Sequence, residues 1–258
     1  MTDVRGGLRL AVTTLSVVRL PTGRVDRSTA RIAMLAAPLV GLALGAVAAA
    51  CGYAARLLWH SSALSALTVL AVLAALTGLL HLDGLADTGD GIGAPHGRDR
   101  LAIMTNPGIG AFGVATVVFV VLAQLLAFTR AYDLRIGTLA VMTAAATSRL
   151  AVTLGCLRGV RAARSDGLGA MVAETVARGG AALVVVITAA AVVAITAVHD
   201  DSWVHVGRML WSMAAGLVSA GLCYFVAVRR LGGITGDVLG AVVEISAAVT
   251  VLAAIARG

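Results

Sequence analysis

Ala63-Leu-Ser-Ala-Leu-Thr-Val-Leu-Ala-Val-Leu-Ala-Ala-Leu-Thr-Gly-Leu-Leu80 is an uncharged apolar run, and His81-Leu-Asp-Gly-Leu-Ala-Asp-Thr-Gly-Asp-Gly91 follows it without a break. The first stretch approaches the ~20 apolar residues that a helix needs to cross a bilayer. The second sets Asp83, Asp87 and Asp90 at the mouth of that crossing. Carboxylates this close repel one another by about 1 kcal/mol per pair even in water. A positive partner is expected, and hard oxygen ligands suit a divalent cation, Mg2+ or Mn2+.

Working outward, the same apolar character recurs along the chain. Only 13% of the 258 residues are charged, about half the fraction of a soluble domain, and the mean hydropathy is +0.96. The expected fold class is all-α: one polytopic helical membrane bundle spanning 1–258, with no separate soluble domain. Spans are expected at about 32–55, 62–81, 109–128, 137–157, 181–198, 209–228 and 238–256, about seven in all. Residues 1–30 form a cytoplasmic or interfacial N-terminal segment. Within it Leu8–Leu20 is too short to span, ends at Pro21 and Gly23, and does not read as a cleaved signal peptide.

Every one of the 20 basic residues is Arg. Most sit in loops, so the high isoelectric point reflects membrane topology and not nucleic-acid binding. Arg5, Arg9, Arg19, Arg24, Arg27 and Arg31, then Arg98 and Arg100, then Arg158, Arg161, Arg164 and Arg178, then Arg229 and Arg230 all fall on one side of a seven-span bundle. The other side holds Arg56, Arg130, Arg135, Arg208 and Arg257 with Asp200–Asp201. The positive-inside rule places the N-terminus and the arginine-rich loops in the cytoplasm. The acidic motif and the loops at 158–170 and 229–237 then share that face. Cys51, Cys156 and Cys223 are far apart within or beside apolar runs and read as small buried hydrophobes.

Asp83, Asp87 and Asp90 are spaced i, i+4, i+7 and share a face if helical. Two or three carboxylates with water and a substrate phosphate make a Mg2+ site; the plainer alternative is a solvated, helix-capping turn. Gly84, Gly89 and Gly91 weaken a regular helix but permit close approach. His81 is open to three readings: general base, phosphate hydrogen bond, or polar interface residue. In Arg98–Gly113, Arg98 and Arg100 suit phosphate or serve as membrane anchors, and Pro107, Gly108, Gly110 and Gly113 open a span with backbone N–H groups free for an anion. Arg149 and Glu244 lie inside predicted spans, where charge is costly, so they are expected to pair or line a polar cavity. Thr235 and Asp237, in Gly232-Gly-Ile-Thr-Gly-Asp-Val-Leu-Gly240, begin the last span as a cap or further ligands.

These motifs, in this order, resemble the cobalamin synthase (adenosylcobinamide-GDP ribazoletransferase) family. The resemblance rests on the acidic motif and on Arg19-Leu-Pro21, Pro38–Gly45, Arg98-Asp-Arg100, Ile103-Met104, Ser148-Arg149, Asp166-Gly-Leu-Gly169, Gly233–Ala241 and Glu244. It departs at Ala102, Asn106 and Gly108, where the family has an acidic residue, Asp and Arg. The resemblance implies transfer of alpha-ribazole or its 5'-phosphate to adenosylcobinamide-GDP with release of GMP, by displacement at phosphorus. Mg2+ would be held by Asp83, Asp87 and Asp90. Arg98, Arg100, Arg149 and Thr235 would bind phosphate. The base is left open among His81, Asp90, Asp237 and Glu244. The expected setting is the bacterial cytoplasmic (inner) membrane, with the site facing the cytoplasm, the lipid bilayer and the two substrates as partners, and assembly with further copies of the chain left open. Two other readings stand beside it. A CDP-alcohol type phosphotransferase would need Arg where Asp87 stands and a later Asp pair. A transporter would show inverted repeats and polar residues at mid-membrane.

Overall fold

The computed structural model describes residues 4–95, 97, 99–199 and 203–256. Arg98, the Asp200–Asp201 pair and Arg257 lie outside the described residues. Within them the chain forms eleven helices: α1 (Val4–Leu15), α2 (Arg27–Trp59), α3 (Ser62–Thr77), α4 (Leu80–Gly93), α5 (Arg100–Met104), α6 (Ala111–Asp133), α7 (Gly137–Gly155), α8 (Gly167–Val172), α9 (Arg178–His199), α10 (Trp203–Leu231) and α11 (Gly236–Ile255). Six are long and apolar enough to cross a membrane: α2, α6, α7, α9, α10 and α11. The count reaches seven if the bent pair α3–α4 is taken as one span. The expected all-helical polytopic bundle is what forms.

The bundle is built around α7, which is buried on nearly every face from Leu139 to Thr153. It packs against α2, α11, α10, α9 and α6. Small residues let these backbones approach, as membrane helices require in the absence of a hydrophobic drive between them. Large apolar side chains such as Phe119, Leu126, Val186, Val218 and Leu222 instead point outward, where lipid is their solvent. Several hydroxyls inside the bundle are satisfied locally. Thr188, Thr196 and Thr250 each donate to the carbonyl four residues back.

Two expectations are corrected. The second span was expected to run through His81, but α3 stops at Thr77. Gly78 and Leu79 both take left-handed backbone (φ 60° and 63°). The Leu79 N–H reaches back to Ala74 O at 2.9 Å and the Gly78 N–H to Ala75 O at 3.2 Å, a Schellman ending that closes the helix. The chain then turns by 90°, so α4 runs across the end of the bundle instead of along it. The expected interfacial helix at 8–20 begins earlier and stops at Leu15. Beyond it the Val17 N–H bonds Leu76 O at 2.8 Å, which straps the N-terminal segment to the end of α3.

Candidate active site

The site is built where α4 crosses the first turns of α11. Gly84 makes the crossing possible: a Cβ there would stand 2.7 Å from the carbonyl oxygen of Asp237. The contact brings Asp87 of α4 near Asp237. At the start of α11, Thr235 Oγ accepts the Val238 N–H at 3.2 Å and donates to Asp237 Oδ2 at 3.2 Å. The connection between α7 and α9 forms the next wall. Its Ala163 N–H bonds Ile234 O, and the Ile234 N–H bonds Arg161 O, both at 2.9 Å. These elements enclose a cavity of about 280 Å³, lined among others by His81, Arg164, Asp166, Thr235 and Asp237. Asp83 is exposed and Asp87 half-buried on the same helix as His81, outside the lining of this cavity.

Crowding of carboxylates marks this end of the molecule. Asp87 lies on α4, outside the spanning direction, and its carboxyl is pushed up to about 6. Burial is the largest cause, followed by the charges of Asp237, Asp83 and Asp90; Arg164 acts in the other direction. Among the described residues no three His, Cys, Asp or Glu side chains are gathered closely enough to hold a metal by themselves. Mg2+ is commonly held by only one or two carboxylates, with water and substrate phosphate completing its shell. Asp83 and Asp87, one turn apart, with Asp237 near enough to Asp87 for their charges to repel, fit that incomplete set.

Asp90 has a different environment. It is buried, and its two oxygens accept the Gly110 N–H at 2.6 Å and the Gly113 N–H at 2.7 Å. The glycine-rich entrance of α6 was expected to offer its N–H groups to a substrate anion; the anion it holds is Asp90. Arg100 is likewise engaged within the chain. It donates to the carbonyls of Gly91 (3.2 Å) and Ile92 (2.6 Å), satisfying the orphan acceptors at the end of α4. Asn106 and Gly108 line a separate recess beside Asp90, and Ala102 lines another.

Arg149 and Glu244 face a second cavity of about 220 Å³ with largely apolar walls. They take separate partners in it. Glu244 accepts from Gln124 Nε2 at 2.8 Å, whereas Arg149 donates to Ser148 Oγ at 3.0 Å and lies 3.4 Å from Nδ1 of His81. A guanidinium has no lone pair to accept with. His81 Nδ1 is therefore the acceptor, which assigns the ring proton to Nε2 by geometry. His81 lines the first cavity and Arg149 the second, so this contact forms part of the wall between them.

The family profile described as cobalamin-5-phosphate synthase matches residues 7–255. The chain belongs to that family. Among curated members, the adenosylcobinamide-GDP ribazoletransferase of Frankia casuarinae is 44% identical over 95% of this chain and 92% of its own length. That of a Nocardioides species is 40% identical over 98% and 100%, and that of an Escherichia coli K12 strain is 34% identical over 84% of each chain. No solved structure matches the chain. Among the polar residues at the cavities of this cobalamin-5-phosphate synthase family member, Gln124 and Arg164 were not singled out from sequence. Gln124 carried a signal, as the lone amide in the mostly apolar α6. Arg164 carried none beyond the positive-inside pattern that it shares with Arg158 and Arg161.

Proposed function

We propose that this chain is an adenosylcobinamide-GDP ribazoletransferase. It joins alpha-ribazole, or its 5'-phosphate, to adenosylcobinamide-GDP, releases GMP, and so completes assembly of the vitamin B12 coenzyme. The reading is carried by one observation: carboxylates of α4 and α11 converge at the end of a membrane bundle whose sequence matches this family almost throughout. The ribazole hydroxyl oxygen attacks the phosphorus attached to cobinamide, the P–O bond to GMP breaks, and the hydroxyl proton passes to a base. The arginine pattern supports the bacterial cytoplasmic membrane as the location, with the site facing the cytoplasm.

Asp83 and Asp87 would hold Mg2+ jointly with the diphosphate, and Asp237 stands beside them. When bound, the ion would neutralise charge that develops on the phosphates and the departing GMP. Asp237 lines the cavity with one oxygen taken by the Thr235 hydroxyl. We assign it to accept the ribazole proton, since His81 turns its lone pair to Arg149 and Glu244 sits in the second cavity. His81 keeps an Nε2 proton to donate to a phosphate oxygen. Arg149 holds that imidazole in place. The cavity is near the lower end of the usual ~300–1,000 Å³ for small-molecule sites, so it receives the diphosphate end while the macrocycle stays at the mouth.

The test is GMP release from adenosylcobinamide-GDP and alpha-ribazole 5'-phosphate by the purified chain in detergent. Turnover that requires Mg2+ is expected. No product from folded protein at millimolar Mg2+ would overturn the reading.

A further inference from the structure

A diphosphate carries negative charge, and the cavity that would take it is bordered by carboxylates. An ion reaches only some of the diphosphate oxygens, so a second positive partner is needed to orient the rest. The chain must supply a directional donor. The arginines singled out from sequence are committed elsewhere or lie outside the described residues. Arg100 is spent on the carbonyls at the end of α4, and Arg149 lies behind His81, in the second cavity.

Arg164 is differently placed. Among the described residues lining the first cavity it is the one arginine. Its Nη2 donates to Leu101 O at 2.8 Å, which pins one corner of the guanidinium, and among the described residues its remaining N–H groups have no acceptor. The segment beneath it is held by the pairing of Arg161 and Ala163 with Ile234. Gly233 lets that pairing close, since a Cβ there would run into the Arg161 carbonyl oxygen and the backbone of Ala162 and Ala163. Arg164 is thus fixed from both sides, in one cavity with His81 and Asp237 and near enough to Asp87 for their charges to interact.

We propose that Arg164 is the residue that grips the substrate diphosphate, its free guanidinium edge pairing with phosphate oxygens. The proposal rests on the functional reading above and adds the anion-binding residue to it. A planar guanidinium suits this task better than an ammonium, because it presents two parallel N–H donors to two oxygens. In the empty site Arg164 offsets part of the repulsion among the carboxylates, and on binding it turns that charge to the phosphate.

The experiment measures binding of inorganic pyrophosphate with Mg2+, and of adenosylcobinamide-GDP with Mg2+, to the full chain in detergent, with thermal unfolding recorded for each variant. Arg164→Gln is expected to weaken both by about ten- to hundredfold, the range for losing hydrogen bonds to a charged group. Its unfolding midpoint should stay near that of the wild type. Arg164→Lys keeps the charge and a donor for Leu101 but not the fork; it should fold and bind with intermediate affinity. Arg230→Gln, at an exposed site at the end of α10, should bind as the wild type does. Wild-type affinity in either Arg164 variant overturns the assignment. GMP release by the wild type is followed alongside. Turnover with unaltered binding in Arg164→Gln sinks Arg164 alone, whereas neither turnover nor pyrophosphate binding sinks the functional reading with it.

Discussion

Asp87 and Asp90 lie three residues apart on one helix, yet they meet opposite environments. Asp90 is buried against the start of α6, and each of its oxygens accepts a backbone N–H. It does for α6 what a capping side chain does, from a neighbouring helix. Asp87 looks toward Asp237 of α11, with Asp83 one turn back on its own helix, and burial first, then these charges, push its carboxyl up to about 6. The fold satisfies one carboxylate and leaves the other frustrated. Frustration of this kind is retained where something outside the chain relieves it.

Exchange of each side chain is the sharpest way to break this comparison. Asp87→Asn should lower kcat/KM for GMP release by about 10²–10³, the scale for loss of a group that stabilises transition-state charge, with the unfolding midpoint unchanged or raised. Asp90→Asn should do the reverse. An amide presents only one acceptor oxygen to the two N–H groups of Gly110 and Gly113, so a loss of about 1–3 kcal/mol of stability is expected, with turnover per folded molecule largely kept. Matching phenotypes for the two variants, by activity assay and thermal unfolding, would erase the distinction.

Gly84→Ala tests whether close approach of α4 to α11 creates the crowding. The added methyl meets the Asp237 backbone, and overpacking of this kind costs about 1–3 kcal/mol. Stability and activity should fall together; an unaffected protein would mean that α4 moves freely against α11.

A smaller effect follows from pH. The Asp87 carboxyl lies above its ordinary value of 3.8, so the folded chain binds that proton more tightly than the unfolded chain. This group therefore costs stability as pH rises from about 3.8 through about 6, and nothing further above. A cation that binds the ionised form relieves the cost. The thermal shift produced by Mg2+ should then grow between about pH 5 and pH 7.5, where a metal held away from Asp87 would give a flat profile. Smallest of all, Arg100→Gln should cost only about 1 kcal/mol in unfolding measurements, through the carbonyls it leaves at the end of α4.

The bundle was legible because bilayer thickness imposes long apolar runs, and the spans fall close to where the composition puts them. The turn between α3 and α4 was not. It depends on Leu79 taking a left-handed conformation that leucine rarely adopts, and Gly78 alone gave little warning. At the site, Asp83, Asp87 and Asp237 could be singled out as charges at a membrane boundary. The division between Asp87 and Asp90 could not, since helical spacing treats them alike and only the packing of α6 and α11 separates them. Arg164 was hidden for the same reason: topology explained it fully, and the pairing of its loop with Ile234 is a contact between distant parts of the chain.

The central claim is that Asp83 and Asp87 of α4, and not Asp90, receive the cation. Mn2+ binding followed by electron paramagnetic resonance, with inorganic pyrophosphate present and Mg2+ as competitor, tests it directly. The account predicts a saturable site in the wild type, displaced by Mg2+, kept in Asp90→Asn and lost in Asp87→Asn. A site kept in Asp87→Asn and lost in folded Asp90→Asn would contradict it.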